Sequence, residues 1–287
     1  MDKILRIDVG AAGGPKAVVT DLGEYEGMGG RGMTSMVVLK EVPADCHPLG
    51  PENKIVIAPG MLTGSAASTS GRISVGCKSP LTGGIKESNA GGQAGQTLAR
   101  LGYAAIILEG AAPEDACHKI LINKDGVQIS EAADYKGLLN YDLIEKIKAA
   151  YGEKVAVMSI GPAGEMKMSS ATIAVTDREM RPSRHAGRGG VGAVMGTKGI
   201  KAIIIDDAGT KMRKPKDPEK FKAANKTFTQ GLRSHAVTGE GLHMTVVTSV
   251  KGSSGKACSL PVITQSKRSY LHKVIHLHGR SSQQGGQ

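Results

Sequence analysis

Two stretches decide the fold of this chain: NAGGQAGQTLARLGYAAIILE at residues 89–109 and HAGRGGVGAVMGTKGIKAIIID at residues 185–206. Each begins with a glycine-rich loop, continues through a short helical segment and a glycine, and ends in an apolar strand. Upstream, KIVIAPG followed by GRISVGCKS corresponds to KVAVMSIGP followed by SATIAVTD. Because such self-similarity indicates an internal repeat, the sequence predicts a duplicated α+β domain with pseudo-two-fold β-sheets, which brings both glycine loops to one site.

The remaining sequence predicts further strands and then a helix. ACHKILINKDGVQIS is typical of a hairpin and YDLIEKIKAAYG of a helix. The segment DPEKFKAANKTFTQGLRSH predicts a helix with Asp217 as its N-cap and Pro218 in its first turn. We expect three regions: an α+β domain at 1–208, a basic linker with the first helix of a helical region at 209–242, and a tail at 243–287.

Charge is distributed unevenly along the 287 residues. The formal net charge is +11, but Glu240 is the last acidic residue, and the segment 241–287 holds six Lys or Arg. The rest of the chain is therefore only mildly basic. With no Trp and two Phe, the chain has few aromatic side chains on which single-stranded nucleic acid could stack. We expect no nucleic-acid partner, and a nucleic-acid binder driven by the basic tail stays open as an alternative.

Cysteine usage and hydropathy limit the metal chemistry and the compartment. The four cysteines, at 46, 77, 117 and 258, show no CxxC spacing, which argues against a zinc ribbon or an iron–sulfur cluster held by this chain alone. Cys77 is expected to be a buried small residue. No run approaches the ~20 apolar residues of a membrane span, and we expect no signal peptide. The sequence predicts a cytoplasmic protein without membrane association.

The second glycine loop matches a nucleotide-binding pattern in form only. Gly187, Gly189 and Gly192 satisfy G-x-G-x-x-G. The polar, proline-containing segment TDREMRPSRHA precedes them, however, where a dinucleotide fold needs a buried strand. Glycines that admit an anion to backbone N–H groups, with Arg184 and Arg188 beside them, instead predict a phosphate site. A structural role, with glycines for close sheet packing and solvated arginines, stays open.

Longer motifs carry a resemblance to a known family. GRISVGCKSPLTGGIKESNAGG and RHAGRGGVGAVMGTKGIKAI, supported by GGRGMTSMVVLKE, PLGPENKIVIAPGMLTG and SIGPAGE, occur in family order from residue 1 to about residue 241. On these motifs the chain resembles the N-terminal domain of the aldehyde:ferredoxin oxidoreductase family. The resemblance implies an α+β base for a tungsten, less often molybdenum, atom that is held by the dithiolenes of two pterins (a bis-molybdopterin cofactor).

The resemblance also implies which residues touch the cofactor. Contacts to pterin or its phosphates fall, by matching motif, on Arg72, Asn89, Gly91, Arg184, His185, Gly187 and Arg188. A magnesium ion bridging the two pterin phosphates would take the backbone carbonyls of Asn89 and His185. The family often has alanine in place of His185, and a carbonyl ligand does not depend on the side chain. No catalytic residue is expected here, and Gly30, Arg31 and Gly32 are a weaker match that a helix-entry turn explains equally well.

The resemblance stops after TGEGL at residues 238–242. The family continues with a helical body that supplies the cysteines of a [4Fe–4S] cluster and the acid and base groups beside the metal, and those cysteines are absent from this sequence. The segment 243–287 has no acidic residue and no family motif, so we expect a disordered basic tail or out-of-frame sequence. A metal site at His272, His276 and His278 is a third interpretation of this segment.

The function that the resemblance implies is oxidation of aldehydes to carboxylic acids. Electrons would pass through the cluster to ferredoxin or a redox partner subunit, and a homodimer is one expected assembly. This chain alone is expected to be inactive, because the exit route for electrons is missing. Two alternatives stay open: a non-catalytic module that binds pterin or another anion, and a branch of the family that reduces benzoyl thioesters.

Overall fold

The computed structural model describes four stretches of the chain: residues 1–235, residue 238, residues 250–251 and residues 257–258. Residues 1–216 form one compact unit, and the described residues from 217 onward belong to a second. The hypotheses about the tail, including the metal site at its three histidines, therefore lie outside the described residues.

The first half of the larger unit is a six-stranded mixed sheet with two helices. Its elements in chain order are β1 (Lys3–Asp8), β2 (Lys16–Asp21), α1 (Gly30–Glu41), β3 (Ile55–Pro59), β4 (Ile73–Lys78), β5 (Ile85–Ala90), α2 (Ala94–Arg100) and β6 (Tyr103–Glu109). The strand order across the sheet is β2-β1-β6-β3-β4-β5. All neighbouring strands are antiparallel except β1 and β6, which run parallel.

The second half repeats this arrangement strand for strand. Its elements are β7 (His118–Asn123), β8 (Gly126–Glu131), α3 (Asn140–Tyr151), β9 (Ala156–Ser159), α4 (Pro162–Glu165), β10 (Ile173–Val175), β11 (Arg184–Ala186), α5 (Val191–Thr197) and β12 (Ile200–Ile205). The order is β11-β10-β9-β12-β7-β8, and only β7 and β12 are parallel. The predicted duplicated α+β fold is confirmed.

The duplication is longer than the sequence motifs indicated. The predicted repeat began at KIVIAPG and KVAVMSIGP, two predicted strands before each glycine loop, whereas the structure also repeats the hairpin and helix that precede them. Tyr25 and Tyr135 are both buried, each ends a single 3-10 turn before its helix, and each is followed two residues later by a glycine at φ 76°, Gly27 and Gly137. The motif Tyr-x-Gly is too short to reveal this correspondence before the strand order is known.

The main core contains residues from both sheets. The cluster joins buried side chains of the two sheets with those of α2 and α5, for example Leu5, Leu98, Val194 and Ile203. The helices α1 and α3 pack on their own sheets through two separate apolar clusters. Strands β3, β9 and β12 are consequently buried at every residue, because a strand covered on both faces has no polar side.

A buried lysine joins the two halves. Lys198 lies in the turn between α5 and β12 and is fully buried, and its Nζ donates to the carbonyl oxygens of Asn53, at 2.5 Å, and Gly110. Burial lowers the pKa of Lys198 from 10.5 to about 8, since the charged ammonium loses its hydration. These two hydrogen bonds attach the end of the second glycine segment to the first half of the fold.

A pH dependence of stability is expected from Lys198. Between pH 8 and pH 10.5 the unfolded chain holds more protons than the folded chain, so the free energy of unfolding should rise with pH. The rise is at most about 1.4 kcal/mol per pH unit. Urea unfolding across this window should show it, and Lys198→Met should remove it, whereas Lys124→Met, at an exposed lysine, should not. An equal rise in both variants would assign the effect to other groups.

The residues after β12 continue from the larger unit into a helix. In the basic linker, the Arg213 N–H donates to the carbonyl of Gly64 at 2.8 Å, so the compact unit includes the linker as far as residue 216. In the smaller unit, α6 (Pro218–Ser234) has Asp217 as its N-cap, as predicted: its side chain accepts a hydrogen bond from the Lys220 N–H at 3.0 Å.

The smaller unit also contains a pair of short strands. The strands β13 (Val250–Lys251) and β14 (Ala257–Cys258) pair antiparallel in the smaller unit. Within the described stretches, none of the helices combines the length and the apolar character needed to cross a bilayer.

Candidate functional site

The two predicted glycine loops follow the edge strands β5 and β11, and these strands lie next to each other. The backbone N–H of Arg188 donates to the hydroxyl of Ser88 at 2.9 Å, which connects the second loop to the first half. The N–H of Gln93 donates to the carbonyl of Thr176 at 2.9 Å, which connects the first loop to the second half. The duplicated fold therefore brings the two loops to one surface.

Strand register identifies which residues of the two halves correspond. Ile73 of β4 pairs with Ala90 of β5, and Ile173 of β10 pairs with Ala186 of β11. The residues that precede these four in sequence correspond in the same way. The equivalent pairs are Arg72 with Thr172, and Asn89 with His185.

In the first half, the predicted residues Arg72 and Asn89 are in contact. The Arg72 guanidinium donates to the side-chain oxygen of Asn89 and, from Nη2, to its backbone carbonyl at 3.2 Å. Both residues are exposed. The backbone carbonyl of Asn89, which the family resemblance assigns to a magnesium ion, thus accepts a hydrogen bond from Arg72.

This pair lines a cavity of about 410 Å³. Within it, Arg31 Nε lies 3.3 Å from Glu87 Oε2, and the same carboxylate accepts a hydrogen bond from the Ser74 hydroxyl at 2.6 Å. Gly30, at the N-terminus of α1, also lines the cavity and has φ 53°. Sequence motifs did not single out Glu87 or Ser74, because only the pairing of β4 with β5 brings them to the cavity that Arg72 lines.

In the second half, His185 contacts Thr172. The imidazole Nδ1 lies 2.9 Å from the Thr172 hydroxyl, and the ring is exposed. Arg184 is half-buried beside Val175 in the register of β11 and β10, and Arg188 is exposed. Arg72, which precedes β4, contacts Asn89 at the end of β5. Three guanidinium groups therefore belong to the region of the two loops, which favours an anionic ligand.

Some glycines at the site are required by the packing of the protein itself. At Gly92, where φ is 101°, an added Cβ would lie 2.5 Å from the carbonyl oxygen of Thr176. At Gly190, with φ 70°, it would overlap the carbonyl oxygen of Ser169, and at Gly192 it would lie 2.5 Å from that of Thr172. The structural role that the sequence left open therefore holds for these positions.

Two other glycines have no such requirement. The atoms nearest to an added Cβ are 3.9 Å away at Gly91 and 4.0 Å away at Gly187, and neither residue has a positive φ. A side chain would fit there without displacing any described part of the protein. The bare backbone at Gly91 and Gly187 thus leaves open space beside Arg72 and Arg188, as expected where a ligand approaches main-chain N–H groups.

The topology around the second loop excludes a dinucleotide fold there. β11 is antiparallel to β10, β10 to β9, and β9 to β12, so β11 and β12 run in opposite directions. The G-x-G-x-x-G fingerprint functions between two parallel strands. Gly187, Gly189 and Gly192 therefore match the sequence pattern, but the strands that flank them are not the parallel pair that a dinucleotide site requires.

Cys77 and the largest of the described cavities are not part of this site. Cys77 is fully buried, and burial raises the pKa of its thiol to about 12, which confirms a packing role. Among the described residues, no cluster of three or more His, Cys, Asp or Glu side chains could hold a metal ion. The largest described cavity, of about 870 Å³, is lined by the turn after β1 and the segment joining the halves, and by none of the predicted site residues.

Comparison with known proteins identifies the family. The sequence model for "Aldehyde ferredoxin oxidoreductase, N-terminal domain" matches residues 4–207, which is most of the larger compact unit. The chain belongs to the aldehyde ferredoxin oxidoreductase family. It carries the N-terminal domain of these oxidoreductases, as the motifs indicated.

Similar proteins of known family agree with this assignment. Tungsten-containing aldehyde ferredoxin oxidoreductases are 41% identical over 216 residues in Pyrococcus furiosus and 38% identical over 241 residues in Pyrococcus horikoshii, and the matches cover 75% and 84% of this chain. A WOR-like subunit of an aliphatic sulfonate oxidoreductase from Pyrococcus furiosus is 31% identical over 223 residues. These matches span only 34–38% of the relatives' own length.

A solved structure shares the fold. The active-site complex BamBC of benzoyl coenzyme A reductase, in complex with 1,5-dienoyl-CoA, superimposes with a TM-score of 0.72 at 31% identity. The match covers 81% of this chain and 34% of the other. The fold of this chain is therefore shared with a protein that carries a different name.

Proposed function

We propose that this chain is the cofactor base of a tungsten bis-pterin oxidoreductase that oxidises aldehydes to carboxylic acids. The observation that carries the proposal is the convergence of two corresponding glycine loops, with three arginines and open backbone, in a domain 41% identical to a tungsten-containing relative. A ligand with two anionic halves matches a surface built from two equivalent halves.

The residues present fit such a cofactor. Arg72, Arg184 and Arg188 would supply charge-assisted hydrogen bonds for phosphate, and the space beside Gly91 and Gly187 would let the phosphate approach the main chain. The carbonyls of Asn89 and His185, at equivalent positions on two adjacent strands, are hard oxygen ligands of the kind that magnesium prefers. We infer these roles from position and chemistry, and the site residues stay a proposal.

The bound tungsten would supply the oxidation–reduction chemistry of the reaction. The described residues would position it: the arginines neutralise phosphate, and the open glycines let the cofactor sit against the main chain. The described residues of the loops include no paired acid and base, so the groups that move protons would come from the helical part that begins in the segment 209–242. Ferredoxin or a partner subunit would accept the electrons through an iron–sulfur cluster held outside the described part of this chain.

A second candidate follows from the solved structure. This chain shares its fold with the active-site complex of a benzoyl coenzyme A reductase at 31% identity. The same cofactor base would therefore also suit an enzyme that reduces an aromatic acyl thioester. Residues that contact a substrate would distinguish the two activities, since the role proposed here for the loops is the same in both.

The first test is cofactor content. The full chain, purified from a host grown with tungstate, should carry tungsten and pterin in a ratio of about one to two. Metal analysis by mass spectrometry, together with fluorescence of the oxidised pterin released from the protein, measures both. Protein that is folded by circular dichroism and contains neither would contradict the proposed function. Pterin without tungsten would favour the non-catalytic binding module.

A glycine pair separates ligand binding from folding. Gly91→Ala should leave the free energy of unfolding within about 1 kcal/mol of the wild type and lower pterin content about tenfold, because the methyl group fills the open approach to the backbone. Gly92→Ala, one residue away, should cost about 3 kcal/mol of stability through its φ of 101° and its contact with Thr176. Urea unfolding and pterin fluorescence check the pair. Equal loss of stability in both variants would remove the distinction.

A further inference from the structure

The two halves of the site correspond in backbone but differ in chemistry. Arg72 and Asn89 of the first half occupy the positions of Thr172 and His185 in the second. In each half the two residues contact each other: Arg72 donates to Asn89, and the Thr172 hydroxyl lies 2.9 Å from His185 Nδ1. The contact is therefore kept, while threonine stands in place of the arginine and histidine in place of the asparagine.

The contact with Thr172 can fix which ring nitrogen of His185 faces a ligand. When the Thr172 hydroxyl donates to Nδ1, the neutral ring carries its proton on Nε2. The ring is exposed, and the backbone beside it opens at Gly187, where an added Cβ would come no closer than 4.0 Å to any protein atom. An Nε2–H group at this place is a hydrogen-bond donor available to an anion.

We infer that the His185 ring, oriented by Thr172, contacts the anionic group of the cofactor in the second half, as Arg72 does in the first. The inference rests on the proposed function and deepens it, because it gives the histidine side chain a role separate from that of its carbonyl. Asn89, its equivalent, has its side chain bonded to Arg72. The second half has threonine in place of this arginine, and His185 supplies the donor instead.

The test compares side-chain variants that keep the backbone carbonyl. His185→Ala and Thr172→Val should each lower the pterin content of the purified full chain about fivefold, the loss expected for one hydrogen bond. Since both residues act through one ring, the double variant should lose no more than either single variant. The control is His47→Ala, another exposed histidine, whose Nδ1 accepts a hydrogen bond from the Leu49 N–H. It should retain wild-type pterin content.

The outcomes separate this inference from the proposed function. Wild-type pterin content in both His185→Ala and Thr172→Val, with depletion in Arg72→Ala, overturns the inference and leaves the proposed function standing. Additive losses in the double variant overturn the idea that Thr172 acts through the ring.

A second measurement decides the inference if the wild-type chain carries no cofactor. Inorganic pyrophosphate is added to the ¹⁵N-labelled full chain, and the ring nitrogens of the histidines are followed by NMR. We expect His185 Nε2 to shift on titration and His47 to stay unchanged, and Thr172→Val should reduce the shift. Pyrophosphate that leaves the His185 signals unchanged overturns the inference.

Discussion

Gly190→Ala should destabilise the larger unit by about 4 kcal/mol, enough to unfold much of the protein at moderate temperature. Gly190 is the N-cap of α5 and has φ 70°, where an alanine is strained, and its added Cβ would overlap the carbonyl oxygen of Ser169. The strain alone costs about 1 kcal/mol. The overlap adds the larger part, because the backbone at Ser169 must move before a methyl group fits.

The matched control is Gly83→Ala. Gly83 has φ 71°, nearly the same as Gly190, but no atom lies within 4 Å of its added Cβ. Its loss should be about 1 kcal/mol, from strain alone. The difference between the two variants in urea unfolding therefore measures the steric contact. Similar losses would show that Ser169 and its neighbours move aside at little cost.

Removing the two exposed arginines of the proposed site, Arg72 and Arg188, should have the largest effect on cofactor content. Arg72→Ala and Arg188→Ala should each lower tungsten and pterin content at least about tenfold, and the double variant should retain almost none, because each removes a proposed charge-assisted contact to phosphate. The expected effect exceeds that of one neutral hydrogen bond, since charge-assisted hydrogen bonds are roughly twice as strong. Stability should change little, as both side chains are exposed.

A charge-matched variant controls for this result. Lys124 lies in the turn between β7 and β8, at the sheet edge opposite to β11. Lys124→Ala removes the same unit of charge far from the loops and should load tungsten and pterin normally. Equal depletion in all three variants would point to an effect of net charge on loading. Unchanged loading in Arg72→Ala and Arg188→Ala would overturn both site assignments.

Much of the fold could be predicted from the sequence because its signals are local. The apolar run of β12 and the alternating pattern of β1 each predict a strand from neighbouring residues alone. In the same way, Asp217 followed by Pro218 predicts the start of α6. The short edge strands β2, β5 and β11 were not predicted separately. β2 has no buried residue, and such a strand is set by its pairing with β1.

The candidate site was predictable in part. The glycines and arginines are visible in the motifs, and the internal repeat indicated that Asn89 and His185 correspond. The sequence could not divide the glycines into those required by packing and those left open, because Gly91 and Gly92 differ only in what their Cβ atoms would meet. The sequence also could not show that the side chains of Thr172 and His185 are in contact, because strand β10 and the segment after it separate the two residues in the chain.

The sequence by itself determined the family, the duplication and the list of polar residues on the loops. Only the tertiary structure decided that the repeat extends to the hairpin and helix of each half, that the two loops are hydrogen-bonded to opposite halves, and that Arg72 already holds the carbonyl of Asn89. The physical reason is the range of the interactions. Propensity and periodicity act between residues a few positions apart, whereas the contact between Ser88 and Arg188 joins residues 100 positions apart in the chain and exists only when both sheets are folded.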